Sequence, residues 1–297
     1  MAPAPTTPTP LRVGVAGTGP WSSLFHAPMF AAHEDTTLTA VWGRRLEAAD
    51  EIASPLGASA HDSFESFLDT VDAVSFAVPP DVQARLAVQA ARAGKALLLE
   101  KPLALDLADA EELARVADES GAPTQLVLTW RYMDRVRAFL AAVASAEPLG
   151  GRGAFLAGGF RGGMFATPWR LAHGPLFDLG PHVIDLLDAA LGPVVGVRAH
   201  GDPRRWVGLL LDHAPGVTSE VSLTGHSGVE PARSGVELHT TGDVIEVETS
   251  RYDPGIWTTI VDEFVATARG HPHPLDVDRG LHLQRLLAEA SDQLAWS

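Results

Sequence analysis

The sequence predicts an α/β chain in two parts: a doubly wound parallel sheet, then an α+β domain with an open, mainly antiparallel sheet. Three observations predict it. Short apolar runs alternate with helix-compatible stretches from Leu11 to about residue 128, the pattern of parallel strands covered on both faces. Beyond Gly192-Pro193 the runs alternate apolar with polar residues, and no helix of convincing length separates them, as in a sheet with one face open. At 297 residues, 46% apolar and 20% charged, the chain can build a sizeable core, and at roughly 150 residues per domain it suits two domains.

The elements follow in order. Met1 to Pro10 holds four prolines and no basic residue and reads as a disordered leader, without the charged start and apolar stretch of a signal peptide. Leu11 to Ala16 is a strand ending in Gly17-Thr18-Gly19, with helix to about Ala32. Leu38 to Trp42 is a strand and Leu46 to Ile52 a helix; Ala73 to Val78 is a strand closed by Pro79-Pro80, with a helix over Val82 to Ala93. Ala96 to Leu99 is a buried strand closed by Glu100-Lys101-Pro102. Leu107 to Ala117 is helical, and Gln125 to Leu128 is a further strand. These place the first domain at residues 11–123 and the second at 124–297. In the second, Arg135 to Ala144 and Val183 to Leu191 are helices, followed by strands at Val195 to Ala199, Trp206 to Leu211, Val217 to Leu223, Val236 to Thr240 and Val244 to Glu248. Helices over Thr258 to Ala268 and Asp278 to Ala295 close the chain.

Composition excludes whole classes of function. Lys plus Arg is 22 against 37 for Asp plus Glu, a net charge of −15, which repels nucleic acid and anionic membranes. No apolar run approaches the roughly 20 residues of a membrane helix, so a cytoplasmic protein is expected. With no cysteine, disulfides, thiolate metal sites and thiol nucleophiles are all absent. Of the basic residues only Lys95 and Lys101 are lysines, so lysine chemistry has two addresses. Lys95 follows Gly94 at a helix end, where a solvated charge needs no explanation.

Gly17-Thr18-Gly19-Pro20-Trp21-Ser22 follows a strand and opens a helix, the setting in which a glycine turn lets a backbone approach a pyrophosphate. Ser22 replaces the third glycine of the fingerprint and is small enough for close packing. The competing reading is an ordinary tight turn. About 20 residues on, a site for NAD usually carries an acid for the ribose hydroxyl. Here Val41-Trp42 leads into Gly43-Arg44-Arg45. Guanidinium groups suit a 2′-phosphate, which favours NADP, with NAD as the alternative; a solvated helix start would explain the arginines equally.

Glu100-Lys101-Pro102 puts a carboxylate and an ammonium at the carboxyl end of a buried strand, the edge where open α/β sheets bind ligands. Lys101 can donate to a substrate oxygen and exchange that proton, which Arg cannot; the bland alternative pairs it with Glu100. Farther on, Phe177-Asp178-Leu179-Gly180-Pro181-His182-Val183-Ile184-Asp185 reads as a helix start with Pro181 in its first turn. Asp178, His182 and Asp185 share one face if the helix extends back far enough. His182 has the range of a general acid or base. Asp178 could instead cap the helix. A metal set of two carboxylates and one histidine is chemically open, but no second histidine cluster supports it and no metal is expected.

Together these residues resemble the glucose–fructose oxidoreductase / inositol dehydrogenase / rhizopine-catabolism (Gfo/Idh/MocA) family. The resemblance runs from about residue 11 to 295. It rests on Gly17-Thr18-Gly19 with His26-Ala27-Pro28, Val78-Pro79-Pro80, Glu100-Lys101-Pro102, Trp169-Arg170, the Asp178-to-Asp185 segment, and Asp276 with the closing helix. It implies a Rossmann domain plus an open-sheet domain, and a catalytic set of Lys101, Asp178 and His182. It also implies that Gly17, Thr18, Gly19, Pro20, Trp21, Gly43, Arg44, Arg45, Val78, Pro79, Glu100, Lys101 and Pro102 bind cofactor, the Pro102 peptide being a candidate for cis. Arg131, Tyr132, Trp169, Arg170 and Asp185 become substrate-pocket residues. The implied activity is hydride transfer between NADP (or NAD) and a carbinol or carbonyl carbon of a sugar, cyclitol or related polyol. The implied assembly is a homodimer or homotetramer through the open sheet face. Three departures stand out: Asp81 and Gln83 where Asn and His are common, Thr129-Trp130 ahead of Arg131-Tyr132, and a short sheet domain. Two other classes stay open, a non-catalytic NADP-binding regulator or scaffold and a reductase of an aromatic diol, imine or conjugated substrate, the latter kept in view by Trp21, Trp130, Tyr132 and Trp169.

Overall fold

The computed structural model describes residues 9–214 and 216–295; the leader, apart from its last two residues, lies outside them. Strands β1 (Leu11–Ala16), β2 (Thr36–Trp42), β3 (Ser59–His61), β4 (Ala73–Phe76), β5 (Ala96–Glu100) and β6 (Thr124–Val127) alternate with helices α1 (Ala27–Ala32), α2 (Leu46–Ala53), α3 (Phe64–Leu68), α4 (Pro80–Arg92) and α5 (Leu107–Ser120). Then come α6 (Asp134–Val143), β7 (Gly150–Leu156), α7 (Pro168–Leu191), β8 (Val194–Asp202), β9 (Trp206–His213), β10 (Thr218–Thr224), β11 (Arg233–His239), β12 (Val244–Glu248), α8 (Ile256–Ala268) and α9 (Val277–Asp292).

The chain forms two compact units. The first takes residues up to Glu100, Glu111–Val127 and Trp257–Val277; the second takes Lys101–Ala110, Leu128–Ile256 and the chain from Asp278. In the first, six parallel strands run in the order β3-β2-β1-β4-β5-β6, the doubly wound order that reverses between β1 and β4. β1, β4 and β5 are buried almost throughout, which is why they read as continuous apolar runs. The edge strand β6 is covered by the returning segment. Leu126 N–H donates to the Leu275 carbonyl at 2.6 Å, and the buried Gln125 amide donates to the Ile260 carbonyl at 3.1 Å. An unpaired sheet edge is thereby closed.

In the second unit the sheet order is β12-β11-β7-β10-β9-β8. Its pairings are antiparallel except β7 with β10, which is parallel. The sheet is therefore mixed, and its central strand β7 is one the sequence reading did not find. Gly150, Gly151 and Gly153 remove the apolar alternation that marks a strand. Gly153 is there for α7: a Cβ on it would stand 2.4 Å from Val183 Cγ1. β3 and α3 were also not anticipated, being too short for a periodic signal.

α7 differs from expectation as well. Gly174 interrupts it at φ 68° and ψ −170°, so the main run begins at Pro175, whose ring suits the first turn. Pro181 is consequently inside the helix rather than at its start, and Asp178 lies beyond the capping position. That extra turn puts Asp178, His182 and Asp185 on one buried face. Among the described residues, no helix is long and apolar enough to cross a membrane.

Candidate active site

The glycine turn of the first unit is built for close approach. Gly17 has φ 133°, and a Cβ there would lie 2.3 Å from the Ala77 carbonyl oxygen, so only glycine fits beside the end of β4. A Cβ on Gly19 would meet no described atom within 4 Å, leaving the open side that a dinucleotide needs. Ser22, fully buried, donates its hydroxyl to the Gly17 carbonyl at 2.7 Å and so ties the turn down where a third glycine would only make room. Pro20 opens the helical stretch. Gly43 packs on the turn from the other side, since a Cβ on it would stand 2.4 Å from Thr18 Cγ2. Arg44 and Arg45 follow, both exposed. Val78 and Pro79 lie at the end of β4 ahead of α4. These residues fit a dinucleotide: the turn has the glycine where backbone must come close and open space where phosphate would lie.

Glu100 is fixed from three sides within the same unit. Its carboxylate accepts from Trp21 Nε1 at 2.8 Å and meets His26 Nε2 at 3.1 Å, while His26 Nδ1 meets Ser75 Oγ at 2.7 Å. The Gln83 amide holds its backbone at both ends, donating to the Glu100 carbonyl at 2.7 Å and accepting from the Glu100 N–H at 2.8 Å. Gln83, one of the departures in sequence, thus locks the strand end that leads into Lys101. The Lys101-Pro102 peptide is cis.

In the second unit, Lys101 is paired with Asp178. Its ammonium donates to Asp178 Oδ1 at 2.9 Å and to the Asp178 carbonyl at 2.7 Å, with both side chains nearly buried. Arg170 Nε lies 3.0 Å from the same Oδ1, and its guanidinium stacks over Trp169 at 4.7 Å. Burial alone would raise the Asp178 pKa, but the charges of Lys101 and Arg170 outweigh it and hold the carboxyl below its ordinary value. His182 is 6% exposed, with its ring stacked on Trp130 at 5.3 Å and tilted against Phe155 at 6.2 Å. Burial first, then the Lys101 charge, pushes its pKa well below the usual 6.5, with Asp178 partly opposing. The imidazole is therefore neutral at neutral pH. Its Nδ1 is buried with no hydrogen-bond partner among the described residues.

That shift has a consequence for stability. The unfolded state takes up the His182 proton near pH 6.5 while the folded state does not, so this contribution is present above that pH and is lost as pH falls below it. Melting curves of wild type and His182→Gln between pH 8 and 5 test this: the wild type is expected to lose stability more steeply, and parallel curves would refute the assignment.

The remaining predicted residues serve other contacts. Asp185 is 1% exposed. Arg131 Nη1 donates to it at 3.1 Å and Arg279 Nε at 2.7 Å. Arg279 also pairs with Asp188, which accepts from the Val194 N–H and meets His282 Nε2 at 2.8 Å. Burial works against the Asp188 carboxylate, but His282 and Arg279 bring its pKa down to about 2. Tyr132 and Trp130 are buried at 1% and 2% exposure, as core. Arg279 escaped the sequence reading. Two acids three apart on an apolar helix face demand a buried cation, but nothing in the sequence says which arginine supplies it.

Residues 11–127 match the Gfo/Idh/MocA family, described as an oxidoreductase family with an NAD-binding Rossmann fold. A curated relative, a dTDP-3,4-didehydro-2,6-dideoxy-alpha-D-glucose 3-reductase of Streptomyces violaceoruber, is 32% identical over 200 residues. That stretch is 63% of this chain and 56% of the relative, little more than half its length. Among solved structures, GenD2 from gentamicin A biosynthesis in complex with NAD superposes with TM-score 0.84 at 22% identity, covering 99% of this chain and 97% of that one. KijD10, a 3-ketoreductase from Actinomadura kijaniata in complex with TDP-benzene and NADP, gives 0.75 at 20% identity, over 96% and 98%. These superpositions establish the fold of both parts.

Proposed function

We propose that the protein is an NADP-preferring oxidoreductase that transfers hydride between the nicotinamide and a secondary carbinol or carbonyl carbon of a sugar. The observation that carries this reading is the buried Lys101–Asp178 pair beside a neutral His182, in a chain whose glycine turn fits a dinucleotide. The Streptomyces relative, named as a reductase at carbon 3 of a sugar nucleotide, supports the sugar. A bound nicotinamide supplies or accepts the hydride. In oxidation, neutral His182 takes the hydroxyl proton, and in reduction it returns one. Lys101 donates to the same oxygen and stabilises its negative charge. Asp178 aims the ammonium by holding it at two oxygens. A screen of sugars and sugar nucleotides with both cofactors tests the reading; no turnover of any sugar, with cofactor bound, would refute it.

Cofactor preference rests on Arg44 and Arg45, neither of which shows a side-chain partner among the described residues. The Arg44→Ala, Arg45→Ala double variant is expected to weaken NADPH binding about tenfold or more, the worth of one charge-assisted hydrogen bond, and to leave NADH binding unchanged. Fluorescence titration reads both. An equal loss for the two cofactors would overturn the NADP preference.

A further inference from the structure

The chain contains two Arg-Arg pairs, Arg44-Arg45 and Arg204-Arg205. The second has no place in the site described so far. It occupies the tight turn between β8 and β9, in the second unit, and lines a cavity of about 520 Å³ with Leu171, Asp202, Pro203 and His226. We infer that this cavity is an anion subsite which holds the phosphate groups of a phosphorylated sugar substrate, the diphosphate of a sugar nucleotide in particular. The inference rests on the sugar oxidoreductase reading and narrows its substrate class.

Four features carry it. In a chain of net charge −15, this cavity is lined by two guanidinium groups and an imidazole against a single carboxylate. That carboxylate is engaged: Asp202 Oδ1 accepts the Arg204 N–H at 2.9 Å, and the Asp202 carbonyl accepts the Arg205 N–H at 3.1 Å, so it shapes the turn.

The lining residues are also fastened together. Thr224, 4% exposed, donates its hydroxyl to the Arg205 carbonyl at 2.6 Å and accepts the His226 N–H at 3.1 Å. One buried side chain therefore fixes the backbone under both Arg205 and His226, while their side chains stay exposed. Preorganised donors of this kind suit phosphoryl oxygens, which arginine grips with two parallel bonds.

Finally, the turn abuts the catalytic helix. A Cβ on Gly174 would stand 1.9 Å from the Pro203 carbonyl oxygen, so the arginine turn packs against the break from which the main run of α7 starts. Asp178 is four residues further, about 6 Å along the axis at 1.5 Å per residue. The cavity, lined by Leu171 and Pro203, thus borders the start of the run that carries Asp178 and His182. The volume exceeds what a lone phosphate needs and falls in the range of small-molecule pockets.

The test uses equilibrium binding to the full chain without cofactor or turnover, so it stands apart from the catalytic reading. UDP, glucose 1-phosphate and inorganic pyrophosphate are titrated by calorimetry into wild type, R204Q/R205Q, His226→Ala and R44A/R45A. UDP is expected to bind wild type and R44A/R45A alike, and to bind R204Q/R205Q at least tenfold more weakly, with a smaller loss in His226→Ala. Binding of pyrophosphate with the same pattern supports the phosphate contacts. If glucose 1-phosphate alone follows that pattern, the sugar-nucleotide assignment is overturned. Failure of all three probes to bind wild type, or loss confined to R44A/R45A, overturns the subsite. Unchanged melting temperatures in the variants, whose replaced side chains are exposed, establish that folding is not the cause.

Discussion

Lys101→Met is expected to lower turnover by about 10³-fold, within the range for losing a positioned proton-transfer and charge-stabilising group, with NADPH binding retained. The ammonium is nearly buried and spends two of its bonds on Asp178. The chain's other lysine, Lys95, donates to the Val71 carbonyl within the first unit and cannot substitute. Lys101→Arg separates two roles. A guanidinium keeps the charge but does not exchange a proton. If Lys101 only stabilises the alkoxide, the arginine variant should recover a large part of the lost rate; if it carries the proton, the variant should resemble methionine. His182→Gln gives the complement: with a neutral imidazole as the base, its loss should remove the acid limb of the kcat/KM profile in the oxidative direction. That limb should fall well below the usual 6.5 in wild type. Full turnover in Lys101→Met with normal cofactor binding would end the catalytic assignment.

What could be read in advance follows from how each feature is encoded. β1, β4 and β5 are buried on both faces, so their apolar runs were visible, and the Gly17 turn carries its constraint in its own residue. β7 was hidden because the contact that defines it belongs to another element. Its glycines exist to admit Val183 and, at Gly151, Leu238, whose Cδ2 lies 2.5 Å from where a Cβ would be. The same separation governs the site. Lys101 and His182 stood out by chemical type and position, the resemblance joined Asp178 to them as a set, and Lys101 is paired with Asp178. Which partner a charge would take could not be read: Asp178 was open as a helix cap and holds Lys101 and Arg170 instead, while Glu100 receives Trp21 and His26. The break at Gly174 moved the helix start from Pro181 back to Pro175. Two prolines within seven residues each satisfy the local rule for a first turn, and only the positive φ of Gly174, set by its packing on Pro203, selects between them.

Asp185 provides the sharpest contrast between a residue chosen for chemistry and one needed for folding. Asp185→Ala is expected to cost about 3–5 kcal/mol, the usual penalty for breaking a buried pair, or about 10 °C in melting temperature. The carboxylate is held by Arg131 and by Arg279, whose side chains are 19% and 16% exposed. Burial opposes the charge of Arg279, yet Asp185 and Asp188 together raise its pKa above the ordinary value. Removing the Asp185 carboxylate would take this partner from Arg131 and leave Arg279 with one of its two paired acids, Asp188. The result should be a destabilised protein whose surviving folded fraction keeps its KM. Had Asp185 been a substrate ligand, KM would rise while melting temperature stayed nearly unchanged, because an acid that waits for substrate contributes little to the fold. The double variant Asp185→Leu, Arg131→Met discriminates further. Replacing both partners of a buried pair by apolar groups is often neutral, so stability should recover in part, short of wild type because Arg279 keeps one acid in place of two. No recovery would mean that Asp185 acts chiefly through Arg279, the residue that ties α7 to α9 and so holds the helix bearing Asp178 and His182.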